Sequence, residues 1–467
     1  MFNQEDTIAA ISTAPGIGAI SVVRISGQLA EKIVHEIFSV TDNFETAPSQ
    51  VPVLNSRVAT HGYIYDPSSR EIVDEVITTI FKAPRSYTGE DLVEISCHGG
   101  PIIANQLLGL MTQRGARLAR RGEFTERAFL NGRIDLTQAE AVLDVIQAKT
   151  PQQSRRALSV LTGHLGRQLK EVRENLIELL TRIVAGIDFP EEIGDAAEPE
   201  VEAVVNRCKR VLDDLAHTAR SGKFLREGVK LALVGRPNAG KSSLLNQLLK
   251  FDRAIVTDIP GTTRDAIEET IDINGIPVTL VDTAGIRDTV DVVEKIGIER
   301  SNRAIAESDL AILIGDLAQG WGDAETQIRE IIADRQFVIV GNKLDLCPNA
   351  EPQASMPTPL TSEAVSIVLL SATSGLNVDA LTAEIEKWVF KDNPLAGGPA
   401  LNVRQAELCR RAAASLQHVQ ETLAAGMPQD CLATDLKIAV DALSEIAGEL
   451  VAEQIISQVF ATFCIGK

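Results

Sequence analysis

Residues 235–243 read GRPNAGKSS, which matches the G-x-x-x-x-G-K-S pattern of a phosphate-binding loop. An apolar run at residues 229–234, long enough for one buried strand, precedes the loop, and the start of an amphipathic helix follows it. Gly235 and Gly240 let the loop curl so that successive backbone N–H groups face one point, where the helix N-terminus adds its positive dipole. A glycine-rich turn without a ligand is the simpler interpretation. Strand, loop and helix in register favour a nucleotide site instead.

Two side chains of this stretch have predicted roles in binding phosphate and metal. Lys241 is placed to reach the β- and γ-phosphates, and Ser242 is placed to offer its hydroxyl to Mg²⁺. The predicted nucleotide-binding residues of the loop are Asn238, Ala239, Gly240, Lys241, Ser242 and Ser243.

Three further motifs follow in order, and each comes after a predicted strand. DTAG at 282–285 would act through the Mg²⁺ shell and contact the γ-phosphate. NKLD at 342–345 ends in a carboxylate that can accept hydrogen bonds from the N1–H and amino group of guanine, which adenine cannot supply. SAT at 371–373 fits a backbone contact to the guanine oxygen. In this order the motifs predict GTP rather than ATP as the ligand. The predicted contacts are Asp282, Thr283, Ala284, Gly285, Asn342, Lys343, Leu344, Asp345, Ser371, Ala372 and Thr373.

The stretch TDIPGTTRD at 257–265 is a candidate switch loop, in which Thr263 is placed to reach Mg²⁺. Small signalling GTPases orient the attacking water with a glutamine directly after the D-x-x-G glycine. This chain has Ile286 there, which cannot do so. Glu294 lies a short reach downstream; it either orders the water or only pairs with a basic residue on a solvated helix, and the residues alone leave both open. The predicted GTP contacts of the switch loop are Thr257, Asp258, Ile259, Pro260, Gly261, Thr262 and Thr263.

The composition limits the classes of protein. A chain of 467 residues predicts about three domains. The formal net charge of −19 and the pI of about 4.9 make the surface poorly suited to holding nucleic acid by itself. Six cysteines without a C-x-x-C pair fit a reducing cytosol and no structural zinc. There is no signal-type segment and no apolar run of membrane-spanning length, so we expect a cytoplasmic protein.

The pattern of elements predicts a multidomain α/β chain. Residues 1–120 form a mixed α+β domain with strands near 19–25, 76–81 and 91–97, and helical spacing follows at 128–150 and 151–187. Strand–helix alternation over 228–392 predicts an inserted Ras-like G domain, a mostly parallel sheet with helices on both faces. The segments 121–227 and 393–467 are then two parts of one discontinuous all-α domain that pack together. The C-terminal apolar stripe expected in its core is Leu436, Ala439, Leu443, Ile446, Leu450, Ile455, Val459 and Phe463.

Over essentially its whole length the chain resembles the tRNA-modification GTPase MnmE (TrmE) family. The opening and terminal motifs are the specific part of this resemblance, because other phosphate-loop GTPases lack both. The matching stretches are the phosphate loop, DTIAA (6–10), VRISG (23–27), TGED (88–91), HGG (98–100), RGEF (121–124), RAFLN (127–131), DFP (188–190), GTTRD (261–265), IGIER (296–300) and FCIGK (463–467).

For the G domain, the resemblance implies a potassium-activated GTPase whose G domains dimerise across the bound nucleotides. It implies catalytic roles for Lys241 and for Glu294, the latter as the acid that orients the attacking water. The metal ligands it implies are Ser242 and Thr263 for Mg²⁺ and Asn238, Thr257, Ile259 and Thr262 for K⁺.

For the N-terminal part, the resemblance implies a tetrahydrofolate-binding domain that also forms a constitutive homodimer. A 5-formyl-tetrahydrofolate site would use Glu94 to accept from the pterin, and Arg24, Arg133 and Lys467 to hold carboxylates. The family usually has Lys where this chain has Arg133, a change that keeps the charge but alters the geometry. Cys464 is either a nucleophilic or redox thiol or a buried small residue beside Phe463, and we favour burial.

The resemblance also implies the reaction and the partners. With the FAD-binding protein MnmG, in a heterotetramer, such a chain adds an aminomethyl or carboxymethylaminomethyl group at C5 of the wobble uridine of tRNA, which is held mainly through the partner. A ribosome-assembly GTPase is one rival interpretation, but it would need a basic RNA-binding domain, which the acidic C-terminal third lacks. A purely structural GTPase is the other, and it would not need Arg24, Glu94 and Lys467.

Overall fold

The structure is a computed structural model that describes residues 6–42, 54–250, 269–282, 305–332, 335–351, 366–390 and 401–467. The strands within these ranges are β1 (Thr7–Ile11), β2 (Ile20–Ser26), β3 (Phe38–Ser39), β4 (Thr60–Tyr65), β5 (Ile72–Phe81), β6 (Leu92–His98), β7 (Ala116–Leu118), β8 (Val229–Gly235), β9 (Glu269–Ile273), β10 (Ile276–Asp282), β11 (Leu310–Asp316), β12 (Phe337–Asn342) and β13 (Ser366–Leu369). The helices are α1 (Ala30–Ile37), α2 (Pro101–Gln113), α3 (Glu123–Leu130), α4 (Leu136–Gln147), α5 (Pro151–Leu161), α6 (His164–Asp188), α7 (Glu198–His217), α8 (Ala219–Glu227), α9 (Lys241–Leu248), α10 (Asp323–Ile331), α11 (Val378–Phe390), α12 (Val403–Ala424), α13 (Gln429–Ala447) and α14 (Glu453–Ala461).

The chain divides into two compact units, of which the first comprises residues up to 143 together with 444–467. Its seven-stranded sheet has the order β3-β4-β5-β6-β2-β1-β7, and every pair is antiparallel except β1 with β7. Side chains alternate across such a sheet. On β6, Val93 and Ile95 therefore point into a core covered by α1 and α2, and Glu94 points to the opposite face. Glu94 is paired in register with Arg24 of β2 on that opposite face.

In the same unit, α14 packs against α3 through aromatic rings. The Phe460 ring lies 5.4 Å from Phe463 and 6.4 Å from Phe129, measured between centroids. Phe460, Phe463 and Phe124 are all buried. The end of the chain is therefore part of the core that supports the N-terminal sheet.

The second unit, residues 144–443, contains a six-stranded sheet of order β13-β12-β11-β8-β10-β9. All pairs are parallel except the β9–β10 hairpin. Consecutive residues of β8 point into different cores: Leu233 packs with α9 and α11, and Val234 packs with Ile328 of α10 on the other face. This confirms the predicted mostly parallel sheet with helices on both faces.

The helices of the second unit bury stripes of helical spacing. On α6 the buried residues include Leu165, Leu169, Val172, Leu176 and Leu179. α7 packs against α6 and also against α12, so the chain after the sheet returns to helices that precede it, as predicted. No helix in the described part of the chain is both long and apolar enough to cross a membrane.

Some predictions about the elements were wrong, and one strand of the second unit was missed. The helical stretches 128–150 and 151–187 are each two helices, because residues 131–135 form a turn and Gly163 separates α5 from α6. β9 was not predicted, because its polar residues Glu269 and Asp272 interrupt the apolar pattern by which a strand is recognised. The strand is held by antiparallel pairing with β10. Leu450 is exposed and Ile455 and Val459 are only half-buried, because α13 ends at Ala447 and α14 buries Ile456 and Phe460 instead.

Candidate functional site

The phosphate-loop stretch connects β8 to α9, as predicted. Gly240 caps α9 at a φ of +99°, and a Cβ at this position would lie 2.0 Å from Nδ2 of Asn342. Only glycine fits such a position without displacing the amide. The loop is therefore shaped to leave its N–H groups free of side chains at the start of a helix, which is the geometry that attracts phosphate.

Lys241 lies against its own loop. Its Nζ donates to the carbonyl oxygens of Gly235 at 2.7 Å and of Arg236 at 2.8 Å. Ser242 and Ser243 are exposed in the first turn of α9, and Asn238 is exposed with a φ of +62°. These residues fit a bound nucleotide, because one ammonium and several small polar groups meet at a helix N-terminus.

Asn342 joins three loops at the carboxyl ends of the strands. Its Nδ2 donates to the carbonyl oxygen of Ala239 at 2.8 Å, and its Oδ1 accepts from the N–H of Ala372 at 2.9 Å. The side chain is buried. It therefore holds the phosphate loop and the loop of Ser371, Ala372 and Thr373 at a fixed separation, a role that the motif alone did not reveal.

The residue after it, Lys343, is held by an acid that sequence reasoning missed. Its Nζ lies 2.6 Å from Oδ2 of Asp316, which is buried at the end of β11. Burial raises the pKa of Asp316, but the hydrogen bonds from Lys343 and from the N–H of Ala318 outweigh it and hold this pKa below its ordinary value. The signal in the sequence was an acid that directly follows a fully apolar strand.

Asp345 is exposed in a one-turn helix, Leu344–Leu346, so its carboxylate is open to a base. The N–H of Leu344 donates to the carbonyl oxygen of Leu370, which ties this turn to the segment before Ser371. Ser371 and Ala372 are buried, and Thr373 is exposed.

The backbone of Asp282 ends β10 beside β8. The predicted sites at 257–263, 283–285 and 294 lie outside the described residues.

A second cluster lies on the open face of the first unit's sheet. Nε and Nη2 of Arg24 donate to Oε1 of Glu94 at 2.9 and 2.6 Å. The guanidinium also lies 5.1 Å from the ring centroid of Tyr87 and 5.5 Å from that of Phe124. Both rings were missed by sequence reasoning, and such contacts stabilise a half-buried cation.

The end of the chain closes this cluster. Nη1 of Arg24 donates to the carbonyl oxygen of Gly466 at 3.4 Å, and Oγ of Ser12 donates to the same oxygen at 3.1 Å. The N–H of Phe124 donates to the carbonyl oxygen of Lys467 at 3.2 Å. Gly466 has a φ of +90°, and a Cβ there would lie 2.4 Å from the carbonyl oxygen of Ile11. Residues 466 and 467 are therefore held beside Arg24 by hydrogen bonds to their backbone carbonyl groups, and position 466 has no room for a side chain.

Charges around the cluster shift two pKa values. Burial and the nearby charge of Arg24 hold the pKa of Lys467 below its ordinary value, although Glu94 acts in the opposite direction. Burial raises the pKa of Tyr87, while the Thr125 hydrogen bond and the charges of Arg24 and Arg133 act against it. Arg24, Glu94 and Lys467 thus meet at one place, and exposed Arg133 lies close enough to act on the Tyr87 beside them.

The prediction that Cys464 is buried was wrong. Cys464 is exposed, because the last residues cross the surface of the unit and Phe463 fills the inward position. Cys97, by contrast, is buried, and its pKa is raised to about 11 by burial and by Asp74.

Comparison with known proteins identifies the family of the chain. The family model of the MnmE helical domain matches residues 136–464, and that of the GTP-binding protein TrmE N-terminus matches residues 7–133. The chain is 43% identical to the tRNA modification GTPase MnmE of Lacticaseibacillus paracasei, over 99% of this chain and 98% of that protein. It is 42% identical to the proteins of the same name from Enterococcus faecalis and Thermoanaerobacter pseudethanolicus, over 99% of this chain and 98% and 99% of theirs. With this identity over nearly its full length, the chain belongs to the tRNA modification GTPase MnmE family.

Proposed function

We propose that this chain hydrolyses GTP to drive the modification of tRNA at C5 of the wobble uridine, as a potassium-activated enzyme that works with the FAD-binding protein MnmG. The group added is aminomethyl or carboxymethylaminomethyl, and a folate supplies its one-carbon unit. The observation that carries the proposal is the meeting of Gly240, Asn342 and Ala372 at the carboxyl ends of one parallel sheet. That edge is where open α/β sheets bind their ligands.

The residues of the nucleotide site have distinct proposed tasks. Lys241 holds the β- and γ-phosphates and balances the charge that develops on them during hydrolysis. Asp345 selects guanine, and its exposure fits a carboxylate that contacts a base. Ser242 and Thr263 hold Mg²⁺, and Glu294 orients the attacking water.

Potassium has its own proposed ligand set. Asn238, Thr257, Ile259 and Thr262 hold K⁺ next to the phosphates, where the ion supplies the positive charge that an arginine finger supplies in other GTPases. What supports this is the exposed carboxamide of Asn238 on the phosphate loop, together with the absence of a glutamine at position 286. GTP-dependent pairing of two G domains completes this ion site.

The cluster of the first unit is the proposed folate site. The Arg24–Glu94 pair presents a carboxylate that can accept from a pterin, and Lys467 and Arg133 can bind the carboxylates of the glutamate tail. The donors and acceptors fit 5-formyl-tetrahydrofolate in chemical type, since anion-binding and pterin-binding groups occur together.

The proposed assembly is a homodimer that joins MnmG in a heterotetramer in the cytoplasm. The net charge of −19 fits a chain that leaves most of the tRNA contact to a basic partner. We propose four functional segments: a folate-binding and dimerisation domain at 1–120, helical segments at 121–227 and 393–467, and a G domain at 228–392.

GTP hydrolysis by the purified chain in K⁺ and in Na⁺ at equal ionic strength tests the proposal. We expect much faster turnover in K⁺, and loss of that advantage in Asn238→Ala with nucleotide still bound. Equal rates in the two salts would refute the potassium assignment. Absence of 5-formyl-tetrahydrofolate binding in equilibrium dialysis would refute the folate assignment independently.

A further inference from the structure

A buried acid outside every motif supports the phosphate loop from behind. Glu325 lies in the first turn of α10 with 0% of its surface exposed. It forms an ion pair with Arg236, the second residue of the phosphate-loop stretch. A buried carboxylate is costly unless it is paired. The ion pair therefore balances the buried charge of Glu325 and holds the partly exposed side chain of Arg236 beside it.

Arg236 is held at two points and in turn holds the loop. While Nε faces Glu325, Nη2 donates to the carbonyl oxygen of Gly320 at 2.6 Å. The backbone carbonyl of Arg236 accepts from Nζ of Lys241 at 2.8 Å and from the N–H of Ala239 at 3.3 Å. The Arg236 carbonyl that accepts a hydrogen bond from Lys241 thus belongs to a residue whose side chain is bound outside the loop, by Glu325 and Gly320.

The acid itself is positioned by its helix. The N–H of Gly322 donates to Oε2 of Glu325 at 3.0 Å, which satisfies one of the free amides at the start of α10. α10 packs against β11 and β8, the strand that leads into the loop. Glu325 is therefore held on a helix that packs against the sheet from which the nucleotide-binding loops extend.

We propose that Glu325 is a positioning residue for nucleotide binding, which acts through Arg236 on the phosphate loop and on Lys241. The inference rests on the proposed nucleotide function, although Glu325 itself touches no nucleotide. Without its charge the guanidinium is released, and the loop occupies its binding-competent shape for a smaller fraction of the time. The apparent affinity for nucleotide falls in proportion to the fraction of molecules whose loop has that shape. Because the phosphates are what the loop holds, GDP and GTP lose affinity alike, while guanine selection at Asp345 is unchanged.

Titration of the full chain with N-methylanthraniloyl GDP tests this in Glu325→Gln and in Arg236→Met. We expect a Kd about tenfold higher in each, which corresponds to about 1.4 kcal/mol. In GTP hydrolysis we expect KM to rise by a similar factor and kcat to stay within about twofold. Glu330→Gln is the matched control, because Glu330 is exposed on the same helix and should leave Kd unchanged. The ratio of GDP to IDP affinity should stay constant in all variants.

A double variant separates positioning from folding. Arg236→Met with Glu325→Met replaces the ion pair by apolar side chains, which often preserves or raises stability. We expect normal thermal unfolding, with GDP affinity no weaker than in Arg236→Met alone, because the two residues act as one unit. Wild-type affinity in folded Glu325→Gln, or in the double variant, would overturn the inference. Failure of the unmodified chain to bind GDP would refute the proposed function instead.

Discussion

Glu123→Gln should loosen the first unit at the start of α3. Glu123 is buried, and its oxygens accept from Arg117 at 2.7 and 3.0 Å and from the N–H of Arg120 at 2.7 Å. Burial raises the pKa of Glu123, but the bonds from Arg117 and Arg120 outweigh it and lower the pKa from 4.5 to about 2. A difference of this size between folded and unfolded chains corresponds to about 3 kcal/mol.

The sign follows from the depressed pKa. The stabilisation is fully present above pH 4.5, the ordinary value, and is lost as pH falls toward about 2. At neutral pH, glutamine keeps the shape but not the charge, so Glu123→Gln should lower the local free energy of unfolding by about 3 kcal/mol.

Hydrogen exchange of the α3 peptide, followed by mass spectrometry at neutral pH, measures this directly. We expect exchange roughly a hundredfold faster in Glu123→Gln. Glu126→Gln is the matched control on the same helix: Glu126 is equally buried, but burial and the charge of Glu123 raise its pKa, so losing its charge should cost little. Equal acceleration in the two variants would refute the electrostatic reasoning.

Further predictions concern both sites. Gly240→Ala places a methyl group 2.0 Å from an amide nitrogen, so we expect GDP affinity at least about tenfold weaker by fluorescence titration, and an unchanged Kd would contradict the loop geometry. Arg24→Ala should weaken 5-formyl-tetrahydrofolate binding in equilibrium dialysis by at least about tenfold, because a charge-assisted contact is lost, without changing GTP hydrolysis. Because the pKa of Lys467 is lowered, its ammonium loses its proton, and with it the charge that holds a carboxylate, at a pH below 10.5. Folate affinity should therefore fall as the pH rises through that range, and Lys467→Met should flatten the pH profile. Iodoacetamide should label exposed Cys464 in the folded chain but label Cys409, whose pKa burial raises to about 12, only after unfolding, as peptide mapping would show.

The sequence predicted the parallel strands of the second unit, because they are short apolar runs and most of them are followed by a recognisable motif. The run predicted at 229–234 is strand β8, which ends one residue beyond the predicted end. Local pattern was sufficient there, since a strand buried on both faces is apolar throughout.

The supporting residues could not be predicted in this way. Asp316, Glu325 and Tyr87 act on residues that are distant in the chain, and the local sequence around Glu325 and Tyr87 does not distinguish them from surface residues. The burial of Cys464 was predicted wrongly for a related reason, because its exposure depends on which side of the terminal segment faces Phe460. Local pattern identifies the groups that face a ligand, whereas the groups behind them are determined by the three-dimensional packing.

The contact between Ser12 and Gly466 joins residues 454 positions apart, so during synthesis this part of the first unit cannot form until long after Ser12 has been made. At ~5–20 residues per second, a ribosome needs roughly half a minute to a minute and a half to make that length of chain. In the later part of this time, after β7 (Ala116–Leu118) has been made, the strands of the sheet are present without the segment whose carbonyl groups bond to Phe124 and Arg24. The Arg24 cluster of the nascent chain therefore stays incomplete until residues 466–467 have been made.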